Sequence, residues 1–149
     1  MKKSRRAATA NSRASLKRGA AAESQAAAES QVALFVGWGP IIPGRETQAK
    51  RVLSEALQYC NGLRQSGCID SFDVLVLEPH GGDLGGFVLL KGDQTRIAGL
   101  RVDTDFVRTI VGVQLVHQNV RVVGAYTGAG MQALFGLWDE QEQRLLSQG

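Results

Sequence analysis

The short apolar runs of this chain constrain its fold most, because they carry apolar side chains on both sides. Val32 to Trp38 reads VALFVGW, Phe87 to Leu90 reads FVLL, and Ile69 to Leu77 keeps Val74, Leu75, Val76 and Leu77 in succession. Short runs rich in β-branched and aromatic residues form strands. Successive side chains of a strand point to opposite faces, so an unbroken apolar run coats both. A sheet with one face in water alternates apolar and polar instead. These strands therefore need cover on both faces.

Other segments supply cover for one face. Glu46 to about Gln65 is the clearest helix: Ala49, Val52, Leu53, Ala56, Leu57, Cys60 and Leu63 recur at steps of three and four, and Gly67 is a suitable stop. The first strand is stopped by Gly39-Pro40, and Glu78 to Gly86 (EPHGGDLGG) is a turn between two strands of a hairpin. Asp93 is a good N-cap for a helix from Gln94 to Arg101. Asp103 or Thr104 restarts it, with Phe106, Val107, Ile110 and Val111 on its apolar side, and the two pieces read as one interrupted helix. His117-Gln118-Asn119 is a turn, and Val120 to Tyr126 is the last strand. Gly130 to Leu146 follows as a helix with Met131, Leu134, Phe135, Trp138 and Leu145 on one side. It is expected to dock on its own domain, with a dimer partner or another protein as the other candidate surfaces.

The order is β-α-β-β-α-β, the split β-α-β arrangement of the ferredoxin-like fold, in the α+β class. Its four-stranded antiparallel sheet carries both helices on one face. Two such sheets packed face to face bury the surplus apolar surface, which otherwise is a liability. The expectation is a homodimer joined through the sheet face. The domains expected are an arm over residues 1–31, a ferredoxin-like domain over 32–128 and a C-terminal amphipathic helix over 129–149.

The element order and the double-faced strands over residues 32–128 resemble the dimeric α/β-barrel superfamily. That group includes YCII-related proteins, antibiotic-biosynthesis-type monooxygenases and muconolactone isomerase. The stretches VGWGPIIPGRE (36–46) and LEPHGGDLGGF (77–87) resemble small bacterial proteins of uncharacterised function. The resemblance implies a ligand cleft between the sheet and the helices of each subunit. YCII-related proteins carry a His–Asp pair, and no confident match to it is found here; His80 and Asp83 merely share a loop.

Charge is divided unevenly. Residues 1–31 hold seven basic and two acidic side chains, a charge of +5, and the remaining 118 residues carry −2. The high isoelectric point thus belongs to the arm, and a basic domain suited to nucleic acid is absent. The arm repeats AAAESQ twice over residues 20–31 and is expected to be mostly disordered. It is either a solubilising tail or an electrostatic contact to RNA, DNA or an anionic surface. No run reaches the roughly 18 apolar residues of a membrane span, and no apolar stretch follows the basic N-terminus as in a secretory signal. The two cysteines, Cys60 and Cys68, lack disulfide-framework or metal-ligand spacing and read as reduced thiols of a cytoplasmic protein.

Two loops attract attention as sites. Glu78, His80 and Asp83 place two carboxylates and an imidazole within six residues, a set able to transfer protons. The same spacing also suits a hairpin turn built for backbone reasons. Trp38 and Arg45 form the second candidate, with Arg45 at a helix start where guanidinium and amides favour an anion. Tyr126, at the end of the last strand, is expected near Trp38, giving a cleft of Trp38, Tyr126 and His80 for a small amphipathic ligand. Either group also reads as surface pairing and packing. His117 reads as a surface histidine.

No Walker A loop, GxSxG elbow, CxxC or HExxH occurs. Neither cofactor nor metal is expected, and two histidines cannot make an all-histidine metal site in one subunit. Three functions remain open: a small-ligand-binding dimer, a cofactor-independent monooxygenase or isomerase using His80 with Glu78 or Asp83, and an interaction protein tethered by its arm.

Overall fold

The computed structural model describes residues 31–147. The elements are β1 (Gln31–Trp38), α1 (Glu46–Gln65), β2 (Ser71–Val76), β3 (Gly86–Asp93), α2 (Gln94–Leu100), α3 (Thr104–Gln114), β4 (Arg121–Ala125) and α4 (Gly128–Leu146). The strands form one antiparallel sheet in the order β2-β3-β1-β4. This is the ferredoxin-like arrangement expected from the sequence. The arm lies outside the described residues, apart from Gln31, which opens β1.

Local chemistry sets the element ends. Gly67 closes α1 at φ +77°, a conformation that costs glycine little, while Cys68 N–H bonds back to Leu63 O at 2.9 Å. The expected single interrupted helix is two helices, because each piece has its own aspartate cap. The Asp93 carboxylate accepts from Thr95 N (2.9 Å) and Arg96 N (3.3 Å), and the Asp103 carboxylate from Asp105 N and Phe106 N (both 3.0 Å). β3 runs past the expected stop at Lys91-Gly92, which stay paired with Ala33 and Val32 of β1.

Leu34, Val36 and Trp38 of β1 and Val88 and Leu90 of β3 point to the inner face. There they meet Cys60 and Leu63 of α1, Ile97 and Leu100 of α2, and Phe106 and Val113 of α3. Leu34 is fully buried, and a leucine so placed contributes roughly 1.5–3 kcal/mol.

The outer face has the opposite parity. It presents Phe35, Phe87, Leu89, Leu75, Val123 and Ala125. The Phe35 and Phe87 rings lie 5.1 Å apart between centroids, and Leu75 and Val123 are 42% and 52% exposed. A Lys91–Asp73 pair (2.7 Å) and an Arg121–Asp83 pair edge this patch. The strands are therefore apolar on both faces, while the helices of the core cover one.

The C-terminal helix departs from expectation. It approaches β1 but buries none of its residues. Trp138 is 61% exposed and Leu145 65%. Its apolar stripe is only partly covered by its own domain. Among the described residues no helix is long and apolar enough to cross a membrane.

Candidate functional site

α1 and α3 lean together over the inner face, and the wedge between them and the sheet is a cleft. Its floor is Trp38, Val88 and Cys60; its walls are Val52, Leu53 and Ala56 from α1 and Phe106, Ile110 and Val113 from α3. Tyr59, Thr109 and His117 add the polar groups. The cleft holds about 40 Å³, room for only a few water molecules. Its mouth is loosely built, since Val52, Leu53 and Ile110 are only partly buried. A Cβ placed on Gly112 of α3 would come no closer than 3.9 Å to Val52. A larger guest thus needs α1 and α3 to part.

His117 reaches the cleft because two distant turns are tied together. Gly39 N–H donates to Gln118 O (2.8 Å), Gln118 N–H to Pro40 O (2.9 Å), and Ile42 N–H to Val116 O (2.9 Å). The ring then lies 6.1 Å from Trp38 between centroids. Its Nδ1 is 3.1 Å from Gly39 O. A carbonyl only accepts, so Nδ1 carries a proton and donates to it, which leaves Nε2 as the ring's other polar atom. The surface histidine expected at 117 is therefore half-buried and lines the cleft. The sequence signal for this is faint, because the tie spans 78 positions.

Burial and charge shape the other polar groups. Desolvation raises the Tyr59 hydroxyl to about 12, helped by the Asp103 carboxylate 3.5 Å away. Burial pushes the Cys60 thiol up to about 11. Cys68 is exposed and likewise free. The thiolate is the reactive form, so at pH 8 Ellman's reagent should titrate Cys68 rapidly and Cys60 only as α1 and α3 open. Equal rapid reaction of both thiols in the folded protein would show that the cleft floor is not sealed.

The sequence-predicted residues disperse. Trp38 lies on the cleft floor. Tyr126 does not join it: β1 and β4 run antiparallel, with Ala33 opposite Ala125 and Gly37 opposite Arg121. Tyr126 thus lies at the far end of β1, roughly 20 Å along the strand from Trp38, and is 64% exposed beside Val32 and Ala33. Arg45 turns its guanidinium to Leu115 O, at the C-terminal end of α3, where it satisfies a helix-end carbonyl and meets the negative end of the dipole. The next residue, Glu46, accepts from Gly44 N–H at 3.1 Å, and backbone bonds hold its carboxyl below the usual range.

The loop of Glu78, His80 and Asp83 stays outside the cleft lining. Gly82 N–H donates to His80 Nδ1 (2.9 Å), so Nε2 carries the proton and donates to Leu84 O (2.7 Å). Both ring nitrogens are engaged within the loop. Asp83 pairs with Arg121 at the start of β4, and Glu78 is exposed. His80, Glu78 and Asp83 therefore share a loop without joining the lining of the α1–α3 cleft.

Architecture and cleft together define a class of small α+β proteins with the ferredoxin-like fold. A dimeric ferredoxin-like protein of unknown function from Jannaschia sp. CCS1 matches with a TM-score of 0.53 at 16% identity, over 65% of this chain and 99% of that one. A family protein called dabb, with a ferredoxin-like fold, from Mesorhizobium loti matches at 0.52 and 13% identity, over 66% and 98%. A dimeric ferredoxin-like protein of unknown function from Bacteroides fragilis matches at 0.51 and 10% identity, over 64% and 94%. Identities this low establish the fold alone. No family model matches the chain, and no curated protein matches it either.

Proposed function

We propose that the protein is a homodimer that binds a small, largely apolar ligand in the α1–α3 cleft of each subunit. The cleft carries this reading. Its walls are apolar, while Tyr59 and His117 offer polar groups, the lining expected of a site for a compact ligand with one polar end. The dimer reading rests on the outer sheet face, where Phe35, Phe87, Leu89 and Val123 form a patch that a second copy can cover. The dimers described for the Jannaschia and Bacteroides proteins support it by analogy of fold. Kinship nearer to YCII-related or monooxygenase-like proteins belongs to the same proposal. So does a reducing, cytoplasmic setting, which free Cys60 and Cys68 fit.

An enzymatic reading, cofactor-independent and monooxygenase- or isomerase-like, assigns proton transfer to His80 with Glu78 or Asp83. Their shared loop supports it, and the loop's own use of both His80 nitrogens weighs against it. Tethering to nucleic acid through residues 1–31 rests on their charge.

The ligand reading is tested by thermal unfolding with a panel of phenols and medium-chain alcohols. A binder at a hundred times its Kd should stabilise the fold by about 2.7 kcal/mol. Ala56→Phe, which places a ring into the cleft from α1, should remove that gain. Equal stabilisation of both proteins, or none with any compound, would count against the cleft as the site.

A further inference from the structure

We infer that α4 is an arm whose apolar stripe seats on the second copy of this chain. The inference rests on the homodimer reading above. Met131, Leu134, Phe135 and Trp138 recur at steps of three and four and share one side of the helix. The subunit covers that side only in part: Leu134 is half-buried, while Met131 is 40% exposed. Phe135 and Trp138 are 43% and 61% exposed, and their ring centroids lie 5.6 Å apart. In proteins most of a helix's stability comes from the packing of its apolar face. Gly130 and Gly136 within α4 weaken it. An apolar stripe on such a helix points to a surface outside its own subunit.

Geometry selects the second copy as that surface. α4 leaves β4 through Thr127 and packs on β1, the strand that carries Phe35 onto the outer face. Its root is therefore continuous with the face the dimer buries. At 1.5 Å per residue the helix is about 28 Å long. A partner sheet packed face to face lies about 10 Å away, within reach of a helix of this length. In a two-fold dimer the exchange is reciprocal, so each arm meets the same surface of the other copy. The stripe gives way after Trp138 to Asp139, Glu140 and Glu142, so the seated part is the first half of α4.

The test uses the full chain. Sedimentation equilibrium gives the dimer Kd of the wild type and of the Phe135→Gln, Trp138→Gln double variant. Glutamine keeps helix propensity, and circular dichroism checks the fold. The variant should dimerise at least about 100-fold more weakly, as expected when two aromatic anchors are lost on each side. Acrylamide quenching of the wild type should find Trp138 shielded in the dimer and accessible after dilution to monomer. Trp38, buried in the core, supplies a constant background. An unchanged Kd with Trp138 open to quencher in the dimer would overturn the arm and leave the dimer standing. Shielding of Trp138 in the monomer would place the stripe on its own domain and also overturn the arm. A wild type that stays monomeric at micromolar concentration would remove the dimer and the arm together.

Discussion

Leu89→Lys is expected to leave the subunit folded and to abolish its dimer at micromolar concentration. Leu89 sits on the outer face in β3, between Phe35 of β1 and Asp73 of β2 as its Cα partners. In a lone subunit the lysine reaches solvent and has the Asp73 carboxylate opposite it, so the cost to folding is small. In a face-to-face dimer the charge is buried, and two-fold symmetry buries it twice. Losing a central anchor from each side at about 2–4 kcal/mol apiece weakens association about a thousandfold or more. Sedimentation of the variant beside Val102→Lys provides the check, because Val102 is 82% exposed on a turn between α2 and α3. If the Leu89 variant dimerises as tightly as the control, the two copies do not meet through the sheet.

Gly39→Ala is expected to damage the corner that borders the cleft. A Cβ there would lie 2.7 Å from Asp83 O and 2.9 Å from Gln118 O. Both are backbone atoms, held by the bonds that tie β1 to the β2–β3 hairpin and to the turn before β4, including Gly85 N–H to Trp38 O at 2.7 Å. Neither can step aside as the tip of a long side chain can. Overpacking of this kind costs about 1–3 kcal/mol, read as a lower urea midpoint with an unchanged slope. The same shift moves the Gly39 carbonyl that accepts the hydrogen bond from His117, so Cys60 should also react faster with Ellman's reagent. A midpoint equal to that of the wild type would mean that the corner is slack and that His117 is not held by it.

The legible parts of this molecule are those decided by neighbours in sequence. The stripe from Ala49 to Leu63 gave α1 directly, and Asp93 and Asp103 marked two helix starts, although only the structure divides the second helix in two. The outer face was legible as well, from the failure of Val74 to Leu77 to alternate. Tyr126 was misplaced for want of a topological step: a strand antiparallel to β1 begins beside Trp38 and ends beside Val32. His117 was harder, because its position depends on hydrogen bonds to residues 39 and 40, and a turn histidine carries no mark of them. Arg45 beside a helix start suits an anion and a carbonyl of another helix equally well, and only packing chose Leu115 O. The loop of His80 shows the same ambiguity, since an imidazole that fastens its own turn has the same sequence context as one waiting for a substrate.

The tie between residues 39–42 and 116–118 bears on how the chain comes together. It joins the first strand to the last across most of the domain, as does the pairing of β1 with β4. Contacts so remote along the chain must overcome a large loop-closure entropy before any of them rewards the search. Assembly is expected to run from α1 and the β2–β3 hairpin toward a late docking of β4. The chamber bordered by Trp38 and His117 takes shape only as that final seam closes.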